Sequence, residues 1–179
     1  SRTHPSNRLS GAGSAAVVGW CPMDQYVATP PTDPAAVRLL DAYFAERTAS
    51  FPPAQGAYAP TYPADEPFTP PAGLFLVLQD DGVDIGCGGV RRVASGDDGL
   101  VRYEIKHLWV APSARGGGRG RALLVELERR AVELGAEELV LDTNASLEAA
   151  GSLYRSLGYA EVAPYNDNPN ATHWFARRP

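Results

Sequence analysis

The chain has 179 residues, of which 44% are hydrophobic and 21% are charged, and this composition is typical of a globular protein with one sizeable core. Its 16 basic and 21 acidic side chains give a net charge of −5, which argues against a bulk nucleic-acid-binding protein because such proteins are basic overall. No run of 18 apolar residues occurs, so the sequence predicts no membrane-spanning helix.

Cysteine and histidine are scarce. Cys21 and Cys87 are too few for a disulfide framework, and neither stands in a metal-ligand spacing. The three histidines, His4, His107 and His173, form no HxxxH pattern. We therefore expect no metal site and a cytoplasmic location.

The N-terminal residues 1–22 are rich in Ser, Gly and Ala, and the only methionine, Met23, follows them. One interpretation is that translation starts near Met23 and that residues 1–22 are an upstream or engineered leader. The other is a secretory signal peptide, for which the apolar segment "AAVVGW" is short. We expect the first, with a single domain over residues 23–179.

The first half of this domain combines regular elements with a long irregular segment. Residues 25–29 are a short predicted strand. Asp33 followed by Pro34 is typical of a helix start, since aspartate caps and proline fits the first helical position. Residues 51–73 are crowded with proline and aromatic residues. A long irregular segment in a compact domain is usually functional or mobile.

The second half alternates strands and helices. The predicted elements are strands over 74–78, 83–93 and 101–110, a helix over 119–134, a strand over 138–142, a helix over 145–157, and final strands at "YAEV" and "HWFAR". The turn "DDG" at 80–82 predicts a hairpin between the first two. The fold class is α/β of the α+β type, one mixed sheet of about six to seven strands with helices on both faces.

A glycine-rich loop, "RGGGRG" at 115–120, lies between the third of these strands and the following helix. It lacks the third glycine of a dinucleotide fingerprint, since Arg121 stands there, and it lacks the GK[ST] of a P-loop. RNA-binding RGG segments are usually long and repeated, whereas this one is a single copy. An RNA mobility-shift assay at several salt concentrations tests the RNA-binding alternative.

The position of the loop favours an anion site, because free N–H groups and the positive end of the helix dipole meet there. Arg115, Arg119 and Arg121 lie where each cation costs about 0.3–1 kcal/mol without a ligand. When a polyanion is bound, the interaction of these three cations with the site becomes favourable. The alternative is a solvated basic turn with glycines for tightness.

The segment "VAPSARGGGRGRALL" at 110–124 resembles the acyl-CoA loop of the GNAT superfamily of N-acetyltransferases, whose pattern Arg115, Gly118 and Gly120 fill. The element order matches from about residue 25 to the C-terminus. The resemblance implies acetyl-CoA as co-substrate, with its pyrophosphate on the loop backbone. The cofactor-binding residues it implies are Leu108, Trp109, Val110, Arg115, Gly116, Gly117, Gly118, Arg119, Gly120, Arg121 and Asn144.

In the family acetyl-CoA lies between two parallel strands that splay apart, which correspond here to residues 105–110 and 138–143. Exposed backbone groups there, notably at Leu108 and Val110, bind the pantetheine like an added strand. Asn144 matches a polar position that contacts the pantetheine arm. Its alternative role is a helix cap.

The resemblance also implies two catalytic residues. Tyr154 matches the tyrosine that protonates the departing thiolate, although it also fits a buried helix face. Glu104 matches the glutamate used as general base or amine-binding group, although it also fits the surface of an alternating strand. His107 and His173 are the other possible bases. Cys87 has no motif that supports a covalent acetyl relay.

The expected partner is a small-molecule or peptide amine, with no nucleic acid, no membrane and a possible homodimer. Carboxylates at Asp65, Glu66, Glu104 and Asp167 predict a cationic amine. The residues expected near the acceptor lie in 51–72 and 165–174 and are Tyr58, Tyr62, Asp65, Glu66, Tyr165, Asn166, Asp167 and Trp174. The alternative function is a non-catalytic acyl-CoA sensor or scaffold of the same fold.

Overall fold

A computed structural model describes residues 24–179, so the leader, Cys21 and Met23 lie outside the described residues. The elements in chain order are β1 (Gln25–Ala28), α1 (Pro34–Ser50), β2 (Gly73–Asp80), β3 (Val83–Val93), β4 (Arg102–Val110), α2 (Arg119–Glu133), β5 (Glu138–Thr143), α3 (Glu148–Ser156), β6 (Ala160–Val162) and β7 (His173–Arg177). Within this part of the chain, no helix combines the length and the apolar character needed to cross a membrane.

The seven strands form one sheet in the order β1-β2-β3-β4-β5-β7-β6. Every neighbouring pair is antiparallel except β4 and β5, which are parallel. The parallel pair is joined through α2, since parallel strands need a crossover connection. The prediction of a mixed sheet of six to seven strands is therefore confirmed.

Helices cover both faces of the sheet, as predicted, and each face has its own apolar core. On one face α1 packs against the sheet through Ala36, Leu39, Leu40 and Phe44 together with Phe68, Phe75, Val77, Cys87 and Trp109. On the other face α2 and α3 pack against a larger core that includes Leu76, Leu78, Tyr103, Leu123, Leu124, Leu127, Leu139, Leu141, Tyr154, Tyr159 and Phe175.

Local sequence signals place most element ends correctly. The Asp33 carboxylate accepts a hydrogen bond from the Ala35 N–H at 2.9 Å and caps α1. Asp81 and Gly82 both have positive φ, +48° and +77°, as the turn of a two-residue hairpin requires. One boundary differs, because α3 starts at Glu148 and not at residue 145.

Residues 51–72 are irregular, as predicted, and contain two 3₁₀ turns at Pro53–Gln55 and Glu66–Phe68. The segment is anchored by Phe68, which is buried and packs edge-on against Phe75 with 5.9 Å between ring centroids. This anchor holds the segment over the α1 face of the sheet.

Candidate active site

A gap opens between the two parallel strands at the centre of the sheet. β4 and β5 pair only from Arg102↔Glu138 to Glu104↔Val140. A bulge in β4 follows directly, because two residues, His107 and Leu108, lie opposite one residue of β3. Bulges bend the strand that carries them, and the gap lies where the sequence predicted the strand splay.

His107 occupies the bulge with a φ of +56°. Its ring packs against Phe44 at 5.7 Å and Tyr43 at 6.1 Å. Burial, with Lys106 and Arg91 nearby, lowers the pKa of His107 to about 3 against the opposing effect of Asp142. The imidazole is therefore neutral at ordinary pH and is a weak base.

A cavity of about 610 Å³ lies at the gap. Leu108, Asn144 and Tyr154 line it, and so do parts of both segments expected near the acceptor, 51–72 and 165–174. Its aromatic wall consists of Tyr43, Phe44, Tyr58, Tyr62, Phe68 and Tyr154. The charged side chains among the described lining residues are Arg47, Arg91, Lys106 and Asp142.

The glycine loop leads into α2 without any side-chain cap. Gly118 is the N-cap with φ +77°, and the first turn has no acidic residue. The first helical bond runs from the Ala122 N–H to the Gly118 carbonyl at 3.0 Å, so the N–H groups of Arg119, Gly120 and Arg121 precede the helical ladder. A Cβ placed on any of the loop's four glycines meets no atom within 4 Å. This open, donor-rich cradle fits a pyrophosphate.

Arg115 points away from the cradle and braces the loop against α1. Its guanidinium contacts both carboxylate oxygens of Glu46 at 2.9 Å, and its Nε donates to the Val110 carbonyl at 2.9 Å. The Trp109 indole N–H donates to the same carboxylate at 2.9 Å. Among the residues expected to hold the cofactor, Arg115 and Trp109 thus have protein partners.

Arg119 is similarly neutralised, by Asp24 at 3.0 Å and Asp80 at 2.6 Å. Arg121 donates to the Ser156 hydroxyl at 3.1 Å, which links α2 to α3. The positive end of the helix therefore carries less uncompensated side-chain charge than the sequence suggests. The hydrogen-bond donors that remain available to a ligand at the loop are its backbone N–H groups.

Tyr154 lies on α3 with its ring 6.0 Å from Tyr159 and 6.0 Å from Phe175. Its hydroxyl has no hydrogen bond to any of residues 24–179, and the residue lines the cavity. Burial, with a smaller contribution from Asp142, raises the pKa of Tyr154 to about 12 against the lowering effect of Arg47. The phenol is protonated throughout the physiological range.

Glu104 lies beneath the cavity surface and is 1% exposed. Its Oε2 accepts from Arg91 at 2.8 Å, and its Oε1 accepts from the Tyr165 hydroxyl at 3.0 Å. Lys106 Nζ at 3.4 Å and Asn166 Nδ2 at 3.3 Å complete its partners. The surface-glutamate interpretation is wrong, and the cavity-facing groups of this network are Arg91, Lys106 and Asn166.

Asn144 is buried, and its side-chain amide is fully engaged. It donates to Gln55 Oε1 at 2.7 Å and to the Asn170 carbonyl at 3.1 Å, and it accepts from the Ser146 N–H at 3.0 Å. The N-cap of α3 is Leu147, so the helix-cap interpretation is wrong. Asn144 joins the two loop segments that border the cavity.

The expected acidic acceptor side is corrected by the structure. Asp65 accepts hydrogen bonds from the Thr32 hydroxyl and N–H, and neither Glu66 nor Asp167 lines the cavity. The carboxylate that does line it is Asp142, which contacts Lys106 at 3.2 Å and accepts from Asn166 Nδ2 at 2.8 Å.

Asp142 and Arg47 have no distinctive sequence signature. Asp142 ends the buried run "ELVLD", and a charge at the end of a parallel strand was the available hint. Arg47 sits in the polar stretch "AERTAS" of α1, and only the fold reveals its burial.

The remaining predicted alternatives lie outside the cavity wall. Cys87 is fully buried, which raises the pKa of its thiol to about 12, so a thiolate for a covalent acetyl relay is disfavoured. His173 lies on β7, where its Nδ1 is 2.9 Å from the Thr172 hydroxyl, and it does not line the cavity.

The model of the Acetyltransferase (GNAT) family matches residues 37–159 of this chain. An IAA acetyltransferase of Azospirillum brasilense is 34% identical over 106 residues, which cover 59% of this chain and 67% of that protein. An uncharacterized N-acetyltransferase of Schizosaccharomyces pombe is 37% identical over 103 residues, 57% of this chain and 61% of that protein.

Solved structures agree on the fold. A GNAT family acetyltransferase of Staphylococcus aureus Mu50 has a TM-score of 0.69 at 12% identity and covers 87% of this chain and 99% of its own. A GNAT family acetyltransferase of Elizabethkingia anophelis with acetyl-CoA bound has a TM-score of 0.58 at 15% identity, over 87% and 98% of the two chains. The chain belongs to the GNAT family and is an acetyl-CoA-dependent N-acetyltransferase.

Proposed function

We propose that this enzyme binds acetyl-CoA with its pyrophosphate on the backbone of residues 116–120 and its thioester in the gap between β4 and β5. The open glycine cradle and the end of strand pairing at Glu104↔Val140 support this placement. The Elizabethkingia protein, which has the same fold, also binds acetyl-CoA. The backbone of β4 at Leu108 and Val110 has no strand partner on the β5 side and binds the pantetheine as an added strand, although the Val110 carbonyl is held by Arg115.

The transfer is direct, from the thioester to an amine in the cavity. The amine nitrogen attacks the carbonyl carbon, the carbon–sulfur bond breaks, and the amine loses one proton while the sulfur gains one. Backbone N–H groups at the gap polarise the carbonyl. Holding both substrates in one cavity supplies much of the rate enhancement over the reaction in free solution. The buried, protonated thiol of Cys87 supports this mechanism over a covalent acetyl relay.

Tyr154 is the proposed proton donor to the departing thiolate. The observation that carries this role is a protonated phenol at the cavity with no partner in residues 24–179. The thiolate takes the phenolic proton and CoA leaves as the free thiol, and the tyrosinate that remains takes a proton from solvent before the next turnover.

Glu104 is proposed to act through the groups it holds. Its carboxylate fixes Lys106 and Asn166, and both of these line the cavity. Because the carboxylate itself is covered, a proton from the acceptor reaches it in two linked transfers: Lys106 Nζ gives one proton to Glu104 Oε1 and takes one from the amine. Asp142 completes the network on the β5 side.

The test is Tyr154→Phe, which keeps the ring packing and removes the hydroxyl. We expect kcat to fall about tenfold or more, while acetyl-CoA affinity measured by calorimetry stays within about twofold because the hydroxyl serves only the later step. Tyr159→Phe is the matched control, since Tyr159 is the neighbouring ring and its hydroxyl donates to Glu128 at 2.8 Å. Unchanged kcat in folded Tyr154→Phe would refute the role.

The acceptor is proposed to be a small-molecule or peptide amine. A non-catalytic acyl-CoA sensor is the competing function, and free thiol release with a mixed amine library separates the two. A chain that binds acetyl-CoA but releases no thiol with any amine is a sensor.

A further inference from the structure

Arg47 is a buried cation without a counter-ion. Its side chain, on α1, is 6% exposed, and its Nη1 atom is buried with no hydrogen-bond partner in residues 24–179. No carboxylate of those residues lies within 4 Å of it, and residues 1–23 contain no Asp or Glu. Burying an unpaired guanidinium is costly, so this arginine is suited to a ligand anion.

The other cations of the cavity wall are already compensated. Arg91 contacts Glu104 at 2.8 Å, and Lys106 contacts Asp142 at 3.2 Å. His107 is neutral, with its pKa lowered to about 3. Arg47 therefore leaves one net positive charge on the described cavity wall.

One aromatic ring lies against this charge, and further rings pack behind it. The guanidinium carbon of Arg47 lies 5.3 Å from the Tyr58 ring centroid. Phe44 contacts Tyr58 at 6.2 Å and Tyr62 at 4.8 Å between centroids. The charge and the rings together favour a ligand with an anionic group on an apolar or flat body. That body must be small, because the cavity of about 610 Å³ is shared with the thioester end of the co-substrate.

The phosphates of acetyl-CoA are a poor match for Arg47. The loop proposed to hold them, residues 115–120, contributes nothing to the cavity wall, whereas Arg47 lines the cavity together with Tyr154. The anion that reaches Arg47 therefore belongs to the acceptor.

We propose that the acceptor is a small amine that also carries a carboxylate, such as an amino acid, and that Arg47 binds this carboxylate. The proposal rests on the proposed transfer reaction and names its substrate class. The fork of N–H donors on arginine matches a carboxylate in geometry as well as in charge. The aromatic wall holds the body of the acceptor, and the amine faces the gap between β4 and β5.

The test compares pairs of acceptors in which a carboxylate is replaced by a neutral carboxamide. Phenylalanine, methionine and glycine are each paired with their carboxamides, and thiol release gives kcat/KM for every compound. We expect the wild type to prefer the acids. In Arg47→Gln the acid-to-amide ratio should fall roughly 10- to 100-fold, whereas Arg47→Lys, which keeps the charge and loses the fork, should retain only part of it. Comparing the ratio of each variant with that of the wild type at one pH cancels the different basicities of the paired amines.

The matched control is Arg38→Gln, which removes an arginine from the exposed side of the same helix, where its side chain is 68% exposed. Its acid-to-amide ratio should equal that of the wild type. If Arg47→Gln leaves the ratio unchanged, the proposal is wrong. If the variant slows acids and amides equally, Arg47 serves the thioester instead, and the proposal is also wrong.

A binding measurement separates this proposal from the proposed transfer. N-acetylphenylalanine and its carboxamide are titrated by calorimetry into the full chain with CoA present. Binding of the acid that depends on Arg47, without thiol release from any amine, supports the carboxylate site and refutes transfer. Acetylation of amides as fast as acids, with no preference in binding, refutes the carboxylate site and leaves transfer standing.

Discussion

His107 shows how a single residue near the cavity is defined by its surroundings. A histidine on a strand suggests a base, but the ring lies in a bulge among Tyr43, Phe44 and Phe68. Burial is the main reason that its pKa falls to about 3. Such a ring orders the aromatic wall and takes no proton at neutral pH.

The lowered pKa has a consequence for stability. Since the unfolded chain binds a proton at this histidine near pH 6.5 and the folded chain does not, stability is fully present above pH 6.5 and declines as the pH falls toward 3. Between pH 7 and 5 the loss is about 2 kcal/mol from this group. Asparagine tolerates the left-handed backbone of the bulge, so His107→Asn should show a shallower decline.

Denaturant unfolding at pH 7, 6 and 5 measures this difference. His173→Asn, at the start of β7 where the side chain is 33% exposed, controls for the removal of a histidine. A decline in His107→Asn as steep as in the wild type contradicts a neutral, buried imidazole.

Some residues of the candidate site could be predicted from the sequence, and others could not. Tyr154 and Glu104 were found by their positions in a family pattern, and Tyr154 does line the cavity. Arg47 had no such pattern, because its importance comes from what is absent around it. A missing counter-ion depends on the placement of every acidic side chain and is not a local property of the sequence.

At the scale of elements, the glycine loop carries the cofactor hypothesis. Gly118→Ala places a methyl group in the open cradle at a φ of +77°. We expect at least about tenfold weaker acetyl-CoA binding, since backbone and phosphate then cannot approach closely. The same substitution also costs about 1 kcal/mol of stability through backbone strain.

Gly99→Ala separates strain from obstruction. Gly99 has a φ of +72° and equally open surroundings, but it lies in the β3–β4 turn, at the other end of β4 from the loop. Calorimetry and unfolding are measured on both variants. Equal stability losses with a binding loss only in Gly118→Ala support the cradle, whereas equal affinities in both refute it.

Elements were predicted well where their signals are local. The cap at Asp33, the turn at Asp81–Gly82 and the amphipathic α2 follow from neighbouring residues. The start of α3 was placed three residues early, because Asn144 looks like a cap. In the fold its amide is used by Gln55 and Asn170 instead, which lie 89 and 26 residues away.

At the scale of the whole molecule, the active-site gap is a property of the sheet and not of any segment. It needs β4 to pair with β3 throughout, to pair with β5 over only three residues, and to bulge at His107. The resemblance to the family supplied the splay between residues 105–110 and 138–143 in advance, but not the bulge at His107. Composition and periodicity alone supplied the strands but no reason for two neighbours to separate.

The core and the edge strand of the sheet define where the folded domain begins. All members of the two described core clusters lie between Ala36 and Phe175, and the edge strand β1 starts at Gln25. Asp24 adds the ion pair to Arg119 that braces α2. We propose that residues 23–179 form one folded domain to which residues 1–22 contribute nothing. A chain starting at Met23 should therefore keep its melting temperature within about 2 °C, less than a change of 1 kcal/mol produces at this size.

The full chain and the chain starting at Met23 are compared by thermal unfolding and by kcat/KM with one good acceptor. A third chain starting at Gln25 removes Asp24 as well and should lose some stability, because Arg119 then keeps only Asp80 as a partner. This third chain shows that the assay detects a real loss at this terminus. If the chain starting at Met23 melts several degrees lower or loses activity, residues 1–22 belong to the working domain and the proposed boundary is wrong.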